Sequence, residues 1–159
     1  MFNADEILEI AVKIERNAQA FYGRAAETVS AEPVKALFRD LAQWEVSHER
    51  LFSAMRDKFA GQQAAAELMD PDGEAAKYLQ AIADGEIFKV EQTEADLAAM
   101  GDDPANILAT AIQREKDSVV FYLAMKEMVP ESLGRGDIDK IIAEEMSHVR
   151  FLSAKAREL

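Results

Sequence analysis

Four long stretches of the chain carry apolar residues at spacings of three and four, the repeat of one face of an α-helix. In the first, Leu8, Ala11, Val12, Ala18 and Tyr22 recur in register with Glu15 and Gln19; in the second, Phe38, Leu41, Ala42, Phe52 and Met55 share a face with Glu45 and His48. The third sets Leu108, Ala111, Ile112, Ser118, Val119 and Tyr122 around Glu115, and the fourth sets Ile138, Ile141, Ile142, Val149 and Leu152 around Glu145 and His148. Each stripe thus places ionisable side chains among apolar ones, where a charge without a partner is costly.

Helix signals bound these stretches. Asn3 caps the first helix, with Glu6 completing a capping-box pattern, and the turn at Ser30-Ala31-Glu32-Pro33 starts a second helix running to about Ala60. Asp102-Asp103-Pro104 supplies a cap and a first-turn proline for the third, and Pro130 with the turn Gly134-Arg135-Gly136-Asp137 separates it from the fourth. Between Gly61 and Asp103 the pattern weakens: Asp70-Pro71-Asp72-Gly73 reads as a turn, and Tyr78, Leu79, Ile82, Ile87, Phe88 and Leu97 as one or two helical segments interrupted near Gly85. Glu86, Glu91 and Glu94 in this region have no histidine beside them and read as solvated.

The two halves repeat. Ala11-Val12-Lys13-Ile14-Glu15 through Phe21-Tyr22 aligns with Ala111-Ile112-Gln113-Arg114-Glu115 through Phe121-Tyr122, and Trp44-Glu45-Val46-Ser47-His48 with Glu144-Glu145-Met146-Ser147-His148, all at one offset of 100 residues. The predicted architecture is all-α: one domain, a four-helix bundle of two repeated hairpins (about 4–60 and about 104–158) joined by a long, partly helical crossover (about 61–103). The crossover is required because hairpins related by a pseudo-two-fold axis need helices two and three joined along the bundle. Whether the bundle closes within one chain or by exchange of hairpins between two is left open, with a homodimer as the expected assembly.

Composition narrows the chemistry. A net charge of −12 and a pI near 4.6 oppose nucleic acid or an anionic membrane as partner and suit the attraction of cations. The chain has no cysteine, which excludes disulfides, zinc ribbons and rubredoxin-type iron sites within it. Its first residues lack a signal-peptide pattern and no run is long enough to span a bilayer, so a cytoplasmic location is the default expectation.

Both histidines of the protein lie in the repeated Glu-x-x-His stretches, Glu45 with His48 and Glu145 with His148. Residues three apart share a helix face, so a carboxylate oxygen and an imidazole nitrogen can reach one ion. With Glu15 and Glu115 from the other two helices, the bundle interior would gather four carboxylates and two imidazoles, the arrangement of dinuclear carboxylate centres. Two divalent cations would cancel the four charges, and the oxygen-rich donor set favours iron or manganese, with zinc able to bind adventitiously.

These residues give the chain a resemblance to the rubrerythrin branch of the ferritin-like superfamily. It rests on Glu15 with Phe21-Tyr22, on Glu45-Val46-Ser47-His48, on their counterparts Glu115 with Phe121-Tyr122 and Glu145-Met146-Ser147-His148, and on the crossover stretch from Tyr78 to Phe88. The resemblance implies a ferritin-like bundle holding two iron ions, with Glu45 and Glu145 bridging, Glu15 and Glu115 binding terminally, and His48 and His148 ligating one metal each. The chain departs from the family pattern at Ser118, where rubrerythrins have an additional Glu, and in having no four-cysteine rubredoxin domain.

The expected function is a di-iron oxidoreductase that reduces hydrogen peroxide or dioxygen, with electrons from a separate donor protein or from incoming ferrous iron. A ferroxidase that handles iron, or a metal-bound bundle without turnover, are the alternatives. Tyr22 and Tyr122, two turns along from the lone glutamates, are candidate catalytic residues that hydrogen-bond a ligand carboxylate or carry a transient radical; packed core tyrosines are the other reading.

Overall fold

The computed structural model describes residues 4–60, 72–85 and 90–159. Helix α1 (Ala4–Thr28) and α2 (Glu32–Ala60) form the first hairpin; α3 (Glu74–Gly85) and α4 (Val90–Met100) belong to the crossover; α5 (Pro104–Met128) and α6 (Arg135–Arg157) form the second hairpin, with a 3-10 turn at Glu131–Leu133 between them. Among the described residues there is no strand, and no helix is long and apolar enough to cross a membrane.

Each hairpin is antiparallel. In the first, Arg16 pairs with Glu49 at 2.8 Å and Arg56 closes the far end on Asp5 at 2.6 Å and Glu9 at 3.1 Å. The hairpins meet with α1 against α5 and α2 against α6, so α2 and α5 run parallel and only a connection along the bundle can join them. One chain supplies both hairpins to the same core. The C-terminal end of the crossover is pinned: Ser30, in the α1–α2 turn, bonds Asp102 through its backbone N–H at 3.0 Å and its hydroxyl at 2.7 Å, and Asp103 caps α5 by accepting from the Ala105 N–H at 3.0 Å, with Pro104 behind it.

The predicted stripes face the core, led by Leu8, Phe38, Leu41, Phe52, Leu108, Ile138 and Leu152. Ala42, Ile112, Val119 and Val149 sit at the margin, half-buried, while Ile7, Phe21, Ile107 and Phe121 complete a second buried ridge. A core-facing helix in a bundle contacts more than one neighbour and needs a broader apolar face than a single row. Arg114 belongs to that ridge: it is buried, its guanidinium lies 4.6 Å from the centre of the Phe21 ring and it pairs with Asp96 of α4 at 2.7 Å, which fixes α4 on the bundle.

The second interhelical turn is tighter than the sequence suggests. Gly134 alone takes the left-handed conformation, φ 101°, and α6 begins at Arg135, so Gly136 and Asp137 are already helical. The Arg135 side chain donates to the Val129 carbonyl at 2.8 Å and so holds this turn against the end of α5. Asn3 and its cap, Asp70 and Pro71 of the predicted turn, and Glu86, Ile87 and Phe88 lie outside the described residues, as do the side chains of Ile82, Glu91 and Glu94.

Candidate metal centre

Midway along the bundle all six expected ligands turn inward. Glu15, Glu45, Glu115 and Glu145 are each 1% exposed, His48 2% and His148 3%, which removes them from bulk water. Each Glu-x-x-His closes on itself as helical spacing demands, with His48 Nδ1 3.0 Å from Glu45 Oε2 and His148 Nδ1 2.9 Å from Glu145 Oε2. The two imidazoles lie nearly parallel, 5.5 Å between centres.

The carboxylates divide into two kinds. Glu45 reaches both histidines, with Oε2 on His48 and Oε1 3.2 Å from His148 Nδ1, and Glu145 does the same, with Oε1 3.0 Å from His48 Nδ1 and Oε2 on His148. Glu15 and Glu115 each face one histidine, His48 and His148 respectively, both at 3.6 Å. Two overlapping donor sets result: Glu15, Glu45, His48 and Glu145, and Glu45, Glu115, Glu145 and His148, with the donor atoms of each within 4.8 Å of one another.

The remaining oxygens of the lone glutamates are held by the tyrosines, in a crossed pattern. Tyr22 of α1 donates its hydroxyl to Glu115 Oε1 on α5, and Tyr122 of α5 donates to Glu15 Oε1 on α1. Both rings are fully buried; Tyr22 stacks on Phe38, and Tyr122 leans on Phe52 at 5.1 Å. Each tyrosine therefore serves the carboxylate of the opposite hairpin.

Without a metal, protons must carry the neutralising charge. Burial, reinforced by Glu45 and Glu145, pushes the Glu15 and Glu115 carboxyls well above the usual range. For His148, burial opposes the charged form, but Glu115, Glu145 and Glu45 outweigh it and lift the imidazole to about 12; His48 is raised likewise by Glu145, Glu15 and Glu45. Glu145 is driven low despite its burial, because the imidazoles of His148 and His48 both lie close against it. Burial first, then the neighbouring glutamates, raises both tyrosines, so they stay protonated donors.

The residues fit a pair of cations. Glu45 Oε1 and Glu145 Oε2, 3.2 and 2.9 Å from His148 Nδ1, are buried together with that nitrogen without a hydrogen-bond partner, and so is Glu15 Oε2 on the His48 side. Buried polar atoms are normally satisfied, and atoms that crowd a common point without bonding each other are arranged for a guest between them. Two divalent ions would balance four carboxylates, and carboxylate oxygen with imidazole nitrogen is a donor set for first-row metals.

Outside the ligands, positions 44 and 144 break the repeat. Glu144 Oε2 lies 2.7 Å from His48 Nε2, whereas its counterpart Trp44 stacks on the His148 ring at 5.3 Å, only 15° from parallel. Trp44, Glu144, Ser147, His148 and Phe151 line a pocket of about 270 Å³ that opens to the surface. Sequence reasoning gave these two residues no role; the signal was the mismatch of Trp with Glu at one offset beside an otherwise repeated motif. Ser118 is buried and supplies no fifth carboxylate.

Comparison with known proteins agrees with this geometry. No curated protein matches the chain. Among solved structures it is similar to a protein from Thermotoga maritima described as a candidate ferritin-like diiron-carboxylate protein, with 25% identity, a TM-score of 0.67, and coverage of 99% of this chain and 96% of that one. The family model described as Rubrerythrin matches residues 6–103, a segment that holds Glu15, Glu45 and His48, while the structural likeness extends over the repeated half. With more than half its length matched by that model and a ferritin-like fold throughout, the chain belongs to the rubrerythrin family.

Proposed function

We propose that the protein is a non-haem di-iron oxidoreductase that reduces hydrogen peroxide or dioxygen. The observation that carries this reading is the sharing of Glu45 and Glu145 between both histidines, each carboxylate presenting one oxygen to either side. In this reading Glu15, Glu45, His48 and Glu145 would hold one ion and Glu45, Glu115, Glu145 and His148 the other, and manganese or zinc could take the place of iron. Bound iron supplies the electrons and the Lewis acidity for reduction of an O–O bond.

The protein's own part is to hold and shield. Tyr22 and Tyr122 fix the outer oxygens of Glu115 and Glu15 by donating to them, so only the inner oxygens are free to face the centre. They act as positioning residues. The carboxylates are buried, with Phe38 packed on Tyr22 and Phe52 on Tyr122 beside them, and removal from bulk water strengthens the charge interactions inside. The pocket beside Trp44 and His148 is the side from which a molecule as small as peroxide can approach. In this reading the electrons come from a separate donor protein or from incoming ferrous iron, because the chain carries no cysteine to ligate an iron of its own.

Stopped-flow mixing of reduced, iron-loaded protein with peroxide tests the proposal. Oxidation in the native protein should be at least tenfold faster than in Glu45→Ala, a loss of about 1.4 kcal/mol in barrier terms. Equal rates in the two would sink it. The net charge of −12 also suits ferrous iron as a substrate rather than a resident ion. Sustained oxidation of many ferrous equivalents per chain by dioxygen would favour that ferroxidase reading.

A further inference from the structure

Among the side chains described against the two histidines, the repeat breaks at one pair of positions, 44 and 144. The pseudo-two-fold places residue 144 beside His48 and residue 44 beside His148. At the first stands a carboxylate, 2.7 Å from the imidazole Nε2. At the second stands an indole, which offers a flat apolar cover and no acceptor.

The difference matters because of which nitrogen faces inward. His48 Nδ1 points at Glu15, Glu45 and Glu145, so Nε2 is its outer nitrogen, and a proton there is held by Glu144. A carboxylate that accepts from the outer N–H fixes the tautomer and ring orientation and makes the inner nitrogen a stronger donor; such partners change metal affinity by about 10–100-fold. His148 is oriented by stacking on Trp44, which sets the ring plane without polarising it.

We infer that Glu144 is a positioning residue that makes the two metal positions unequal, so that the set Glu15, Glu45, His48 and Glu145 fills before the set Glu45, Glu115, Glu145 and His148. Glu144 is 61% exposed, so water weakens its influence and the difference falls near the lower end of the range, about tenfold. The later-filling position is the one beside the pocket of Trp44 and Phe151. This inference rests on the dinuclear reading proposed above and adds an order of loading to it.

The chain has only two histidines, so their imidazoles can be followed individually. Metal-free protein labelled with 15N at histidine is titrated with Zn2+ and observed by long-range 1H–15N correlation, with His48 identified by its response to Glu144→Gln and His148 by its response to Trp44→Phe. The expected result is that the His48 Nδ1 signal converts below one equivalent and the His148 signal between one and two. In Glu144→Ala the two should convert together, and in Glu144→Gln the separation should narrow. Both signals converting together in the native protein, His148 converting first, or an unchanged order in Glu144→Ala would each overturn the inference while leaving the dinuclear site standing. Zinc that shifts neither imidazole would remove the site itself. Since Glu144 is a surface side chain, circular dichroism of both variants should match the native protein.

Discussion

Replacing Tyr122 by Phe tests the crossed pairing at the heart of the site. The change removes one hydroxyl whose only described partner is Glu15 Oε1, across the interface between hairpins. The ring remains, with its contacts to Phe52 at 5.1 Å and Phe121 at 5.6 Å, so loss of packing is small. What is lost is a fully buried hydrogen bond, and what is left is a buried carboxyl oxygen with nothing to replace it. Such a change costs about 1–3 kcal/mol. For a domain of this size each kcal/mol moves the midpoint by about 2–4 °C, so metal-free Tyr122→Phe should melt about 2–12 °C lower. A double-mutant cycle identifies the partner: Tyr122→Phe should couple with Glu15→Leu by more than about 0.5 kcal/mol and add independently with Glu115→Leu. Coupling to Glu115 instead of Glu15, or an unchanged midpoint in the single variant, would refute the crossed arrangement.

Two further outcomes are expected. In metal-free protein Glu15, Glu115, His48 and His148 all hold protons more tightly folded than unfolded, so the stability they confer is complete below their unfolded values and is lost as pH rises, for His148 from 6.5 toward about 12. Glu145 is depressed, so its contribution falls away only on the acid side of its ordinary 4.5 and adds no slope above neutrality. Metal-free protein should therefore be less stable at about pH 9 than at about pH 6.5, and metal, which displaces those protons, should stabilise more as pH rises; denaturation with and without Zn2+ at both pH values checks the sign, and a metal-free protein that gains stability with pH contradicts it. Separately, Phe52→Ala empties a fully buried position against Tyr122 and should cost about 3–5 kcal/mol in urea unfolding; a cost under about 1 kcal/mol would mean that the core beside the centre is not packed as described.

The sequence was most legible where two kinds of regularity coincided. Helical spacing put Glu15, Glu45, Glu115 and Glu145 on apolar faces, and the single offset tied the faces in pairs, so the six inward side chains could be named before any coordinates. The crossed tyrosines were not legible to the same degree. Tyr22 and Glu15 share a helix face, which suggests that they belong together, yet the hydroxyl reaches Glu115 because α1 and α5 run antiparallel at the hairpin interface. Arg114 escaped notice for a related reason: its offset counterpart is Ile14, and only the placement of α4 brings Asp96 to it. The bound of α6 was missed because Gly134 by itself makes the reversal that four turn-forming residues seemed to share.

The reciprocal tethering by Tyr22 and Tyr122 means that neither hairpin is self-sufficient. A polypeptide of residues 4–60 would own two of the four carboxylates and one imidazole, but the anchor for its Glu15 sits on the other half, and the reverse holds for residues 104–157. The two halves thus depend on each other, although at the rim one presents Trp44 where the other presents Glu144. Cutting the connection should leave two fragments that recover a finished cavity only by reassociating.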